Sequence, residues 1–355
     1  MVSVIIVNFH SAYLTKRAVE SVSSDNENTE VCVVDNTATP DERKTLQSIL
    51  PPGINLICNE RNEGFAKACN KAYTLSKGEW IFLLNPDAYV IPPCLGILKN
   101  FLENTPDASS AAPLIFWDSS MTYLFPRFVP PSPVHDVFTK LSQMLFVFGY
   151  LYSLSERRNN LRLWRSSSPV KVKNLSGGIA MIRRSAIEDA GGLFDEQFFL
   201  FYEDSDLFLR LRKAGYDLYI VPTAKAVHNH KHTKLKLDIM AQTRVLFYKK
   251  HFNSHLFERI SALLPEPSRK GEYVDSGDWD TPPLFSVPPA LKKGYLFEWS
   301  PNPLFIPSVG YFGRGEALLF SDEIWNSLDQ GDYFSRFTDS GKLLCNNRIL
   351  YWRKV

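Results

Sequence analysis

A chain of 355 residues is long enough for one large domain with a smaller one beside it. Its make-up, 45% hydrophobic and 22% charged, is that of a globular protein able to bury a core. With 40 basic against 38 acidic residues the net charge is only +2, so no nucleic-acid partner is expected. The aromatic share, 13%, suits a broad contact surface for sugars, lipids or another chain. Five dispersed cysteines (Cys32, Cys58, Cys69, Cys94, Cys345) lack any metal-ligand spacing and read as free thiols of a reducing compartment. Neither a basic leader with a cleavage site nor an apolar run of about 18 residues occurs. The expectation is a cytoplasmic protein without a transmembrane helix.

Along the chain, Val2 to Val7 is a β-branched run ending at Asn8, the pattern of a buried parallel strand. Helical spacing follows at Leu14, Ala18, Val19 and Val22. A second strand, Glu30 to Val34, runs into Asp35-Asn36, and Pro40 to Leu50 opens acidic like a helix N-terminus. Asn55 to Cys58 is a third strand, Gly64 to Ser76 a helix, and Glu79 to Leu84 a fourth strand. This alternation predicts a doubly wound α/β sheet. Pro92 to Asn104 reads as a helix and Ala111 to Phe116 as a strand, with a proline-rich loop over 122–134. Val137 to Leu154 is strongly apolar and flanked by Lys140, Arg157, Arg158, Arg162 and Arg165. Ile179 to Arg183 is a strand and Leu207 to Ala214 a helix closed by Gly215. Leu218 to Val221 is a strand expected to stop at Pro222. Beyond Leu264 prolines cluster, and 294–355 reads as a small β-rich unit with one helix at 321–328.

Parallel strands share a direction, so four polar strand ends should meet on one edge: Asn8, Asp35-Asn36, Asn59 to Gly64, and Asn85-Pro86-Asp87. That edge is where open α/β sheets bind ligands. Its side chains can recognise a base and ribose, and Gly64 permits close backbone approach. Asp87, held by Pro86 at the end of an apolar strand, is suited to a divalent metal carrying a diphosphate. Further on, Glu203 and Asp204 sit in the aromatic stretch Phe198-Phe199-Leu200-Phe201-Tyr202. Desolvation there raises carboxylate basicity, so either can deprotonate a hydroxyl; a merely acidic helix start is the competing reading. His228, His230 and His232 alternate after the last strand. His228 is expected to complete the Asp87 site, while His230, His232, Lys231 and Lys234 are candidates to face phosphate.

As an ordered set over roughly residues 2–255, these pieces resemble the family 2 inverting glycosyltransferases of GT-A fold, especially the bacterial rhamnosyltransferase-like branch. The matching segments are Val4–Asn8, Val33–Asn36, Asn59–Ala66 with Asn70, Leu83–Ala88, Ser176–Gly178, Arg183-Arg184, Gly191–Asp195, Phe198–Leu207, Arg210–Gly215 and Val221–His228. The resemblance implies a Rossmann-like, mostly parallel central sheet flanked by helices. It implies that Asp35 contacts the base, with Asn8, Asn36, Asn62, Gly64, Phe65, Ala66, Asn70 and Asn85 around the donor nucleotide. It implies Mg2+ or Mn2+ at Asp87 and His228, Asp204 as general base with Glu203 beside it, and Ser176, Gly177 and Gly178 where donor and acceptor sugars meet. Asn85 stands where many relatives carry an acid, which puts most of the metal binding on Asp87.

The same likeness implies a nucleotide-diphosphate sugar donor, dTDP-L-rhamnose first, with UDP-galactofuranose or a UDP-hexose as alternatives. It also implies a glycan or lipid-linked glycan acceptor at the inner face of the plasma membrane. The apolar 137–154 segment with its basic flanks is a candidate peripheral membrane contact, against an ordinary packed helix. The expected division is a catalytic domain over 1–262 and a β-rich module over 263–355, serving acceptor binding or homo-oligomer formation. Trp279, Tyr295, Trp299, Tyr311, Trp325, Tyr333 and Trp352 of that module are either sugar platforms or core. A nucleotidyltransferase would want a Gly-rich, cationic loop after the first strand, which Asn8-Phe9-His10-Ser11 does not supply. An inactive carbohydrate-binding relative would not be expected to keep Asp87, Asp204 and His228 together.

Overall fold

The structure, a computed structural model, describes residues 1–25, 28–229, 234–252, 273–343 and 348–355. The first half alternates strand and helix as the apolar periodicity predicts: β1 (Val2–Asn8), α1 (Ala12–Ser23), β2 (Thr29–Asp35), α2 (Pro40–Ile49), β3 (Asn55–Cys58), α3 (Phe65–Leu75) and β4 (Trp80–Leu84). These four strands are parallel, in the spatial order β4-β1-β2-β3. Strand β1 is buried along its whole length because both faces are covered. Val4 and Ile6 join the layer under α1, while Ile5 and Val7 join the layer under α3. The strand period of two thus divides one apolar run between two cores.

After β4 the chain makes β5 (Ala88–Ile91), α4 (Cys94–Glu103), β6 (Ala108–Phe116), β7 (Tyr123–Leu124), α5 (Pro133–Met144), α6 (Phe146–Trp164), β8 (Val170–Val172), β9 (Ile179–Arg183), α7 (Arg184–Asp189), α8 (Glu203–Lys213), β10 (Asp217–His228) and α9 (Lys234–His251). Strand β9 inserts antiparallel between β4 and β6, so the sheet is mixed with a parallel block. Contrary to expectation, β10 does not stop at Pro222. Its pairing with β6 breaks between Val221 and Lys225 and then resumes. Proline cannot donate to the ladder, and a bulge absorbs the missing bond. Past the bulge β10 also pairs with β5, His228 opposite Ala88, which brings His228 beside Asp87.

The last part forms β11 (Val274–Trp279), β12 (Leu284–Ser286), β13 (Tyr295–Ser300), β14 (Val309–Gly313), β15 (Ala317–Leu319), α10 (Asp322–Ser327), β16 (Gly331–Asp339) and β17 (Leu350–Lys354). Strand β14 pairs with β7, and β7 with β6, so these strands extend the central sheet. The expected boundary at 262/263 lies outside the described residues. Tyr295, Trp299, Trp325, Tyr333 and Trp352 are buried in an aromatic cluster, which makes them core first. Arg157, expected as a basic flank of a membrane face, is buried on α6. There it pairs with Glu298 and donates to Thr338 Oγ1 at 2.8 Å.

Candidate active site

The four parallel strand ends do meet, and their polar residues chiefly bind one another. Asn8 is fully buried: its Nδ2 donates toward Asp35 Oδ1 (3.2 Å) and Glu42 Oε1 (3.0 Å), and its Oδ1 accepts from the Ser11 and Thr15 hydroxyls. Glu42 also accepts from the Ser11 and Ala12 amides, holding the start of α1. Asn36 donates to Asn62 Oδ1 (2.8 Å) and accepts from Asn59 Nδ2 (2.9 Å) and the Glu63 amide (3.0 Å). Three loops are thereby tied together by asparagines. Asp35 differs. One oxygen accepts from Asn8 and the Thr37 amide, while Oδ2 is buried with no partner among the described residues. A buried carboxylate oxygen left open asks for a donor such as the N–H of a base.

Gly64 carries φ +85° just before α3, and a Cβ there would lie 2.5 Å from the Phe199 carbonyl oxygen. Only glycine lets the 199 loop close on this turn, where the Phe65 amide donates to the same oxygen at 2.7 Å. Phe65 packs against Phe194, and Ala66 is wholly buried in the core. Asn70 donates to the Phe194 carbonyl and accepts from its amide (2.8 and 3.0 Å), tying α3 to the loop that leads to Asp204.

At the other end of the edge His228 Nε2 lies 3.1 Å from Asp87 Oδ1. His228 is buried against Phe125 while Asp87 keeps a quarter of its side chain exposed. Among the described residues no group of three or more His, Cys, Asp or Glu is arranged as a complete metal cage. One carboxylate with one imidazole does fit a divalent ion that takes its remaining ligands from phosphates and water. His230, Lys231 and His232 lie outside the described residues, as does the Lys234 side chain.

Between these ends run Ser176, Gly177 and Gly178. The Asn85 amide donates to the Gly178 carbonyl at 2.7 Å, and the Gly177 amide donates to Asp204 Oδ2 at 3.0 Å. A Cβ on Gly178 would sit 2.5 Å from Asn85 Nδ2, and one on Gly177 2.5 Å from Asp204 Cβ. The glycines therefore let the β4 end and the start of α8 approach a common point. Phe201 and Tyr202 enter α8 at φ 70° and 65°, a left-handed pair that is costly for aromatic residues and that sets the direction of Asp204.

The three acids of this turn have different surroundings. Burial raises the Asp204 carboxyl, against the Gly177 and Ser205 amides, leaving a half-buried and basic carboxylate. Glu203 is buried inward; burial and then the charge of Asp204 push it well up, and its Oε2 has no partner among the described residues. Asp206 is the reverse. Burial would raise it, but hydrogen bonds from His251, Lys250 and Arg210 outweigh that and hold it far below the usual range. Arg210 in turn binds the carbonyls of Ala190, Gly192 and Leu193, so Asp206 anchors the fold.

Sequence reasoning missed the support behind Asp87. The Asn229 amide donates to the Asp87 carbonyl at 3.1 Å. Its side chain accepts from Arg17 (2.9 Å) and donates to Glu323 of α10 (2.7 Å). Adjacency to His228 was the one available clue to Asn229. Glu323 had none, being 94 positions away.

A family model described as "Glycosyl transferase family 2" matches residues 3–191, more than half of the chain. The chain belongs to glycosyl transferase family 2. It is similar to the N-acetylglucosaminyl-diphospho-decaprenol L-rhamnosyltransferase of Mycobacterium tuberculosis, 29% identical over 193 residues, covering 51% of this chain and 61% of that protein. It is also similar to rhamnosyltransferase WbbL of Escherichia coli (25% over 276 residues; 74% of this chain, 99% of that one). The dTDP-rhamnosyl transferase RfbF of Shigella flexneri matches at 26% over 205 residues, 57% of this chain and 60% of that one. The chain thus spans about three fifths of the length of the mycobacterial and Shigella relatives.

Proposed function

We propose that this protein is an inverting, metal-dependent glycosyltransferase that moves L-rhamnose from dTDP-L-rhamnose to a hydroxyl of a lipid-linked glycan. The observation that carries the reading is the Ser176–Gly178 bridge, which ties the nucleotide edge at Asn85 to the basic carboxylate of Asp204. Asp35 holds the base through its open oxygen, and the Gly64 turn admits the ribose and diphosphate. A divalent ion at Asp87 and His228 would neutralise charge on the departing nucleoside diphosphate. Asp204 takes the proton of the acceptor hydroxyl as that oxygen bonds to the anomeric carbon on the face opposite the departing diphosphate. The bond to the leaving oxygen breaks, and configuration inverts. Rhamnose as donor rests on the likeness to three rhamnosyltransferases, of which one is named for dTDP-rhamnose and another for a diphospho-decaprenol acceptor.

The lipid side of the reading has its own support. No helix among the described residues is long and apolar enough to cross a membrane. Val134, Phe138, Leu145, Val147, Tyr150 and Leu151 are nonetheless exposed on α5, α6 and the turn joining them, with Arg158 and Arg162 exposed further along α6. That face suits peripheral contact with an anionic leaflet on the cytoplasmic side. The test is a donor panel of dTDP-L-rhamnose, UDP-galactofuranose and UDP-hexoses, with and without Mn2+, reading nucleotide release and the anomer formed. A UDP-sugar preference removes the rhamnose assignment, retention of configuration removes the Asp204 role, and activity untouched by chelation removes the metal. Absence of flotation with anionic vesicles removes the membrane contact.

A further inference from the structure

A cleft of about 540 Å³ lies between the 125–129 segment, α6 and the C-terminal strands, within the size range of small-molecule sites. It begins next to the transfer site. Phe125, which stacks on His228 at 6.0 Å and 16°, is one of its walls. From there the rings run on: Phe125 stacks with Trp117 at 4.9 Å, Trp117 meets Trp299 at 5.3 Å, and Phe128 lies 6.4 Å from Phe125 at the partly exposed rim.

We propose that this cleft is the acceptor-saccharide subsite, binding a sugar ring of the acceptor glycan next to the unit that receives the transferred sugar. The inference rests on the glycosyl-transfer reading above and adds a place and a recognition chemistry to it. Aromatic walls alone would suit a sugar or an alkyl chain equally. The polar groups decide between them. The Trp299 indole N–H and the Arg127 Nε–H, both in the lining, are buried and have no acceptor among the described residues. A sugar ring brings hydroxyl and ring oxygens to such donors, whereas an alkyl chain would leave both unsatisfied in a dry site. The neighbouring polar lining is already arranged: Arg127 is clamped by both Glu156 oxygens, and Asn160 accepts from the Arg127 amide. C-terminal residues thus form one wall of a site whose catalytic groups lie in the first 230 residues.

The test uses the full chain with methyl glycosides of N-acetylglucosamine, glucose, galactose and rhamnose as sugar-only probes, and octanol as the chain-only probe. Saturation-transfer NMR should show at least one glycoside bound, displaced poorly by octanol. Affinity for that glycoside should fall tenfold or more in Trp299→Phe, which keeps an aromatic wall but removes the indole N–H, and in Phe128→Ala at the rim. Calorimetry with dTDP-L-rhamnose and Mn2+ should give the wild-type donor affinity in both variants. Should Trp299→Phe fail to fold, Phe128→Ala carries the test alone. Binding of no glycoside, equal competition by octanol, or undiminished glycoside affinity in the folded variants overturns the subsite. Loss of donor binding by the wild-type protein overturns the glycosyl-transfer reading instead, leaving the saccharide result to stand by itself.

Discussion

The N-terminal strand edge and the C-terminal strands share one sheet, yet they are held by opposite means. At the edge, Asn8, Asn36, Asn62 and Asn70 bond to loops and to one another, fixing backbone shape with neutral amides around Asp35, whose Oδ2 has no partner among the described residues. The C-terminal region packs Tyr295, Phe297, Trp299, Phe337 and Trp352 into a continuous aromatic core, pinned to α6 by Glu298 with Arg157 and Arg336. The first arrangement shapes loops with neutral amides. The second consumes charge to dock one part on another.

Removing Glu298 is the hardest test of that contrast. Glu298→Gln leaves two buried guanidinium groups without their carboxylate, a loss of about 3–5 kcal/mol in chemical denaturation. A variant as stable as wild type would show that the pair does not dock α6. Next comes Asp204→Asn, expected to keep donor affinity while turnover drops roughly a hundredfold or more, the worth of a general base. The raised Asp204 carboxyl must be ionised to act, so the wild-type rate should fall with acid at a pH above the usual carboxylate range. A near-normal rate in the variant, or an acid limb at ordinary pH, removes the assignment. Asn36→Ala should cost about 2 kcal/mol, since several buried partners of the loops lose their bonds together. It should also weaken nucleotide binding, which a purely structural role for the edge would leave intact in the folded fraction.

The smallest effect has the opposite sign. Burial and the Asp204 charge raise Glu203, so the folded chain retains a proton that the unfolded chain releases. Stability therefore falls as pH rises above the unfolded value of about 4.3 and levels only beyond the folded one. Glu203→Gln should melt a few degrees higher than wild type at pH 8 and equally near pH 4. Equal melting at both pH values would show that Glu203 is not held neutral.

Much of this was legible in the residues. The strands ending at Asn8, Asp35 and Leu84 are where the apolar runs put them, because a strand buried on both faces has to be an unbroken apolar segment; β3, ending at Cys58, is a partly exposed edge strand that its short apolar run still marked. Short strands β5 and β7 went unread; two to four residues carry too little pattern to stand out. Pro222 misled for a specific reason: proline ends a strand by local rules, but pairing with both β5 and β6 carries β10 through a bulge. The candidate site divides the same way. Asp35, Asp87, Asp204 and His228 stood out by chemistry and position, whereas Arg17 and Glu323 act through Asn229 across the fold.

By itself the sequence determined the parallel block, its polar edge, and the carboxylates and glycines that converge there, since local period and strand direction suffice for these. Only the tertiary structure decided which of Glu203, Asp204 and Asp206 stays half-open, where β10 delivers His228, and that the last strands continue the same sheet to wall a cleft beside it. Those outcomes depend on burial and on pairings between segments far apart in the chain. No local pattern encodes either.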